Sequence, residues 1–457
     1  MFPTLYLVNN SAIPYSINDG ALWAGRGNNT SLTVGGELTY RTPRFLVEAS
    51  LAPTIVASEN RPFQFYPNVS DPTRSAFASP FHNSTQPMDL PLRFGDVSFT
   101  EVNTGESYFR LTDGAVRVGV SSAQEWWGPG IRNSLIMSDN AAGIPRAFVE
   151  TSHPLRTRIG DVTARLILGT LTESRFFDTL SVDDYRSING LLVTLKPRFD
   201  TTLTLGFSRV VYEQSGGMFP SPLRSLDVVR KWDRRASKPD DGPQHLDQIF
   251  SLSARWLFPT PMVEVYAEWA RMEIPRSFRE FLIAPENSQA YTLGLQSARQ
   301  AFRANHFVRL QAEVSDLDQL TVFSDRPEPD FYAGQVTAQG YTQRGQVVGA
   351  GIGPGGSSQF VALDYITPRW QGGLFAGRTR WEEDALFRNS PRSTRHDVTI
   401  FSGARGSVRA MGLRFTSEMT VGRRLNYLFQ NDNYNPGEQP RSAVDIHNIT
   451  LEFQLSR

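Results

Sequence analysis

The chain has no cysteine among its 457 residues. Disulfides and thiolate chemistry are therefore excluded, and nothing in it would suffer in an oxidising compartment. It has no run of 18 apolar residues, so no transmembrane helix can be drawn. It has no net charge, with 46 basic and 46 acidic residues in balance. That removes the basic excess on which nucleic-acid binding relies, and no nucleic-acid partner is expected. There is no composition break to separate domains, no low-complexity tract and no internal repeat.

What the chain does have is alternation. Leu32, Val34, Leu38 and Tyr40 alternate with Ser31, Thr33, Glu37 and Thr39. Val263, Val265, Ala267 and Trp269 alternate with Glu264, Tyr266 and Glu268, and Ile449, Leu451, Phe453 and Leu455 with Thr450, Glu452 and Gln454. A period of two means strand, because successive side chains point to opposite faces. The polar face carries glutamate and arginine as often as serine and threonine. A porin-type barrel turns apolar side chains to lipid and charged ones to a wet lumen. Aromatics, 11% of the chain, suit the interfacial girdles of such barrels. The pattern predicts an all-β, closed antiparallel transmembrane β-barrel of 16–18 strands with a plugged lumen, in a bacterial outer membrane with lipid around it.

Strands are predicted at 31–40, 45–56, 106–112, 115–122, 145–153, 161–170, 189–197, 202–213, 248–258, 262–272, 288–298, 305–316, 358–367, 372–381, 396–406, 408–421 and 443–456. Short connections alternate with long ones, as periplasmic turns alternate with extracellular loops. Asp113-Gly114 is a tight hairpin signal. Seventeen strands is an odd count for a bacterial barrel, so one more is expected near Leu5–Val8 or within 331–350. Residues 1–30 are expected to be an N-terminal remnant or plug segment, with 31–457 forming the barrel. Residues 1–11 contain no basic residue and only a broken apolar stretch, unlike a signal peptide; a truncated N-terminus or a start codon assigned too late is expected.

Chemical motifs are few. Residues 351–356 match G-x-G-x-x-G, but Pro354 and the glycines precede a strand, where a dinucleotide site needs a helix. The six histidines have no metal-ligand spacing, and no nucleophile set can be assembled around His396-Asp397. No catalytic residue, metal or cofactor is therefore expected. Glu264 and Glu268 lie roughly 13 Å apart along one strand, too far for paired acid–base work, and are expected to pair with arginines such as Arg255 and Arg309. Long-loop aromatics include Phe63, Phe65, Tyr66 and Tyr434. The densest segment is 124–145, where Trp126 and Trp127 stand beside Gly128-Pro129-Gly130. Flat indole faces suit the C–H faces of sugars, and Asn133, Asp139 and Asn140 could bond hydroxyls. The alternative is that the segment is simply a packed plug.

The same segment resembles a family, the Wzi-type capsule assembly proteins. Its pattern is W-W-G-P-G…N-S-L-I-x-S-x-N-A. Further blocks follow the family's order: Asn18 to Gly27, Arg93-Phe94-Gly95-Asp96, Gly105-Glu106-Ser107, Glu264 to Trp269, Ala290 to Gly294, and Gln339 to Gln346. The resemblance runs from about residue 15 to the C-terminus. It implies an 18-stranded, plugged barrel with a lectin-like, non-enzymatic role: holding exported capsular or other surface polysaccharide at the cell, with export machinery as a further partner. An open channel for sugars or small solutes is the alternative. Two features depart from the family. Only some 17 residues precede the first block, where members carry a signal peptide and a helical periplasmic segment. The chain ends Leu455-Ser456-Arg457, where such barrels commonly end on an aromatic residue.

Overall fold

The computed structural model describes residues 3–65, 73–82, 86–230, 246–272, 274, 277–283, 285–301, 303–319, 330–389, 395–429 and 445–456. Tyr66 and Tyr434 lie outside these described residues. Among the described residues, 22 strand segments hydrogen-bond into one sheet, nearly every pairing antiparallel. The expected strands are present. The unplaced one is Thr4–Asn10, near Leu5–Val8 as anticipated. It pairs on one side with Gly27–Thr33, opposing Leu5 to Leu32. On the other it pairs with Ile446–Ser456, opposing Leu5 to Leu455. Residues 331–350 add no strand to this sheet; they hold only a small two-stranded ladder, Thr342–Gln343 with Gln346–Val347.

Several strands are interrupted rather than smooth. Gly27–Thr33 stops and Gly36–Arg41 resumes, with Gly35 where the backbones close up; a Cβ there would meet the Leu51 carbonyl at 2.1 Å. The Asp113-Gly114 signal is a hairpin between Tyr108–Asp113 and Val116–Ser121, with Gly114 at φ +55°. Because successive strands are antiparallel, every short connection falls at the end where Thr4 and Ser456 lie. Every long one falls at the opposite end.

The outward side chains are apolar and exposed: Leu38 is 69% and Leu374 68% accessible, with Val118, Leu252, Leu293, Ile400 and Leu451 alike. The inward face is of two kinds. Toward the short-turn end it carries ion pairs. Arg110 meets Glu48 at 2.9 Å, Arg255 meets Glu264 at 2.8 Å, and Asp364 receives Arg309 at 3.0 Å and Arg405 at 2.8 Å. Toward the long-loop end, from Gly160–Thr172 round to Asp247–Phe258, the inward residues are Ile167, Leu171, Ile188, Val210 and Ile249. These pack against Leu135, Ile136, Met137, Tyr332 and Tyr341, from the 122–145 and 330–356 segments, which lie on the inner face. An inward face polar throughout was expected from the alternation; this part is apolar because protein, not water, covers it.

Candidate functional site

The 122–145 connection leaves the strand Val116–Ser121 and turns back under the sheet's inner face. Its turn depends on glycine. Gly128 sits at φ +134°, and a Cβ on it would lie 2.5 Å from the Glu268 carboxylate. A Cβ on Gly130 would lie 2.3 Å from the Asn133 carbonyl. Beyond the turn, Glu313 accepts N–H bonds from Ile131 at 2.6 Å, Arg132 at 3.2 Å and Asn133 at 2.9 Å. It also accepts the Tyr266 hydroxyl at 2.8 Å. Glu268 accepts the Leu135 N–H at 3.1 Å. Glu264 does pair with an arginine, Arg255, as expected. Glu268 does not, and Arg309 is taken by Asp364. Spacing along a strand cannot reveal this, since the partners of Glu268 and Glu313 are backbone groups of a distant loop.

The five residues read as sugar contacts fall into two groups. Trp127 is 2% exposed; its indole N–H donates to Glu125 at 2.7 Å and its ring lies against Gly190. Asn133 is buried and donates to the Ser358 hydroxyl at 3.0 Å. Asn140 is buried and donates to the Val347 carbonyl at 2.9 Å. Trp127 and Asn133 tie this segment to the strands at Gly190 and Ser358, and Asn140 ties it to the small ladder at Val347. Trp126 and Asp139 are partly exposed. The Trp126 N–H is spent on the Gly130 carbonyl at 2.9 Å. One side of Trp126 borders a cavity of about 390 Å³ with Tyr108, Arg110, Glu150 and Arg165, among the ion pairs. Burial pushes the Asp139 carboxyl above its usual range.

A different cleft, of about 220 Å³, opens toward the long loops. Aromatic rings line it: Tyr15, Phe63 and Trp381 are half-buried and present a face, while Trp23, Phe401 and Tyr427 are buried behind them. Arg424 lies among them, 4.8 Å from the Tyr427 ring centre and 5.2 Å from that of Trp381. Asp397 fixes this guanidinium through bonds of 2.7 and 2.8 Å. Asn448, Thr399, Thr420 and Thr450 supply neutral polar groups. Phe63 was legible as a long-loop aromatic. Trp381 and Tyr427 were not singled out. Their signal was position: an aromatic where a strand meets a long connection.

Beside the cleft, the helix Glu383–Asn389 fastens several connections together. Its Arg388 pairs with Asp330 at 2.6 Å, and Glu383 accepts from His396 at 2.8 Å. Just before it, Glu382 meets the buried His82 of the first long connection at 3.0 Å. Burial alone would lower the His82 pKa, but the charge and hydrogen bond of Glu382 outweigh it and the net shift is upward. The G-x-G-x-x-G run leads into the strand Ser357–Ile366, and Gly355 lies against Asp384 of this helix.

With this geometry in hand, known proteins can be compared. The capsule assembly protein Wzi family matches residues 16–366. No curated relative matches the chain in sequence. Among solved structures the chain is similar to Wzi of Escherichia coli, described as an outer membrane protein involved in group 1 capsule assembly and a carbohydrate-binding β-barrel. Identity is 12% over 99% of this chain and 83% of that one, with a TM-score of 0.61. OccK2 of Pseudomonas aeruginosa also aligns, at 9% identity over 100% of this chain and 96% of that one, with a TM-score of 0.45. The family match spans well over half of the sequence, and the blocks read from Asn18 to Gln346 lie inside it: the chain belongs to the Wzi capsule assembly family.

Proposed function

We propose that this protein is a non-enzymatic, lectin-like protein of the bacterial outer membrane that holds capsular or other surface polysaccharide at the cell exterior. The long-loop end faces outward and the exposed apolar wall faces lipid. The sheet is a closed barrel of 18 strands, counting each interrupted run (27–41, 45–58, 99–113 and 146–156) as one. Closure is supported by the double pairing of Thr4–Asn10 with Gly27–Thr33 and Ile446–Ser456. Residues 11–26 of the N-terminal segment, with the 122–145 and 331–350 segments, plug the interior. Support for the plug comes from the Glu313 and Glu268 bonds to 131–135 and from the apolar cluster behind them.

The observation that carries the binding role is the aromatic cleft with its fixed arginine at the outward end. Aromatic faces take the C–H face of a sugar ring, and Arg424, its charge balanced by Asp397, offers N–H groups to the ring's oxygens. Each stacked ring contributes on the order of 1 kcal/mol. Repeated weak contacts along a polymer then multiply through effective concentration. Trp126 and Asp139, the partly exposed pair of the five, stand as secondary contacts on the other side of the plug. Docking of export machinery belongs to the same proposal.

The test pairs two measurements on folded protein. Trp381→Ala with Phe63→Ala, the half-buried rings of the cleft, should keep heat-modifiable gel mobility yet release cell-bound polysaccharide into the medium. The wild-type barrel should give no stable conductance in planar bilayers. Normal polysaccharide retention by the double variant overturns the cleft as the binding site. Ohmic conductance from the wild type overturns the plug and favours a solute channel.

A further inference from the structure

We propose that Glu173, Asp178 and Asp183, joined by the side-chain carbonyl of Gln339, form a site for a divalent cation of the calcium class at the long-loop end. The three acids are five residues apart in the connection between Gly160–Thr172 and Tyr185–Pro197. That spacing matches no sequence motif, and only the fold gathers them. One oxygen from each lies within 4.8 Å of one from each of the others. Three carboxylates without a cation among them repel one another, yet here they converge.

Gln339 is the independent observation. It comes from another connection, 317–356, and is fully buried. Its amide nitrogen donates to Glu173 Oε2 at 2.5 Å and to the Asp183 carbonyl at 3.1 Å. The amide head therefore sits between two members of the group. Its oxygen, on the same carbon, is buried and has no hydrogen-bond partner. A buried acceptor left unpaired costs about 1–3 kcal/mol. Asp183 Oδ1 is likewise buried without a partner. No hydrogen bond holds the Gln339 oxygen where it stands, and a half-turn of the amide puts it where the nitrogen now faces Glu173 and the Asp183 carbonyl; with the three carboxylates it then completes an all-oxygen donor set, which hard cations prefer. Calcium, with 6–8 oxygens in flexible geometry, suits such a set better than magnesium, which demands a strict octahedron.

Charge points the same way. Asp89 and Asp184 add to the negative potential at these acids, while Arg186 and Arg74 are the cations acting on them. Arg74 is stacked on the Phe177 ring at 3.9 Å. Acidic groups outnumber the guanidiniums, and a divalent ion would offset the excess. The site lies where three stretches of chain meet. The Asp178 backbone bridges to Arg74, Thr179 donates its N–H to the Thr73 carbonyl at 3.2 Å, and Gln339 reaches in from the interior. A bound cation would tie the rim to the inward-folded chain.

The test uses the full-length protein in detergent, stripped with EDTA. Calcium chloride is titrated by calorimetry, and melting is followed with and without calcium. One saturable site is expected, with a dissociation constant of about 10⁻⁴–10⁻³ M as for extracellular calcium modules, together with a raised melting temperature. Asp183→Asn combined with Glu173→Gln should weaken binding at least about tenfold and abolish the calcium-dependent shift. Asp178→Asn alone should weaken both, which keeps the test decisive if the double variant does not fold. Asp113→Asn, exposed at the opposite end, should bind as wild type. Absence of saturable calcium binding up to about 10 mM, or equal binding by Asp178→Asn, overturns the proposal. Neither result depends on polysaccharide.

Discussion

Two stretches of one inner face differ in kind. Near the short turns, Arg110, Glu48, Arg255 and Glu264 form ion pairs whose side chains keep some contact with solvent. Near the long loops, Ile167, Leu171, Ile188 and Val210 are sealed beneath Leu135, Ile136 and Tyr341. The switch happens within single strands: Gly160–Thr172 turns Arg165 inward, then Ile167, then Leu171. Period-two alternation thus says which face a residue takes and nothing about what that face meets. A half-solvated ion pair contributes little, about 0–1 kcal/mol. A packed apolar side chain contributes several times more. Rigidity should therefore be concentrated at the long-loop end, where residues 135–137 and 331–352 pack on the inner face.

The largest effects should come from the dry region. Trp127→Ala should cost about 3–5 kcal/mol, since a buried ring against Gly190 leaves a cavity. The readout is a drop in the temperature at which the folded band disappears on gels. An unchanged temperature would break the contrast between the two regions.

Glu313→Leu comes next. It removes the acceptor for the Ile131, Arg132 and Asn133 N–H groups at once. Leaving buried donors unpaired costs about 1–3 kcal/mol each, less whatever water recovers. Stability should fall by about 2–4 kcal/mol, read as a lower melting temperature, and bilayer recordings should show flickering conductance as the 131–135 segment loosens. A silent variant with normal melting would mean that this carboxylate does not hold the segment.

A smaller, pH-dependent effect is expected at His82. Its pKa is raised in the folded protein, so its contribution is fully present below the unfolded value of about 6.5 and is lost as pH rises through the folded value. The His82–Glu382 tie should weaken toward alkaline pH. Limited proteolysis of the first long connection should quicken in the wild type as pH rises above about 6.5 and through the raised folded value. His82→Gln should flatten that dependence, and a wild-type profile equally flat would exclude His82 as its source.

The smallest effect belongs to the ion-paired region. A double-mutant cycle on Arg110 and Glu48 should give a coupling under about 1 kcal/mol, weakened by salt. A coupling of several kcal/mol would erase the distinction between the two halves.

The sequence by itself was enough for the strands, their alternation of faces and the alternation of short and long connections. Each follows from local chemistry: the two-residue repeat of a strand, and glycine's access to positive φ at Gly114. It also carried the family blocks around Trp126-Trp127-Gly128-Pro129-Gly130, which lie in the matched region. Only the tertiary structure decided what those blocks touch. Trp127, Asn133 and Asn140 carry the residue types of a sugar site, yet their groups are used on Glu125, Ser358 and Val347. Glu268 was expected to pair with an arginine, yet it and Glu313 meet backbone N–H groups far away in the chain. Trp23 stands more than 350 residues before Trp381 and Tyr427 in the chain, yet all three line one cleft. The reason is general: a side chain's face is set by its own backbone, while its partner is set by which distant segment the fold brings against that face.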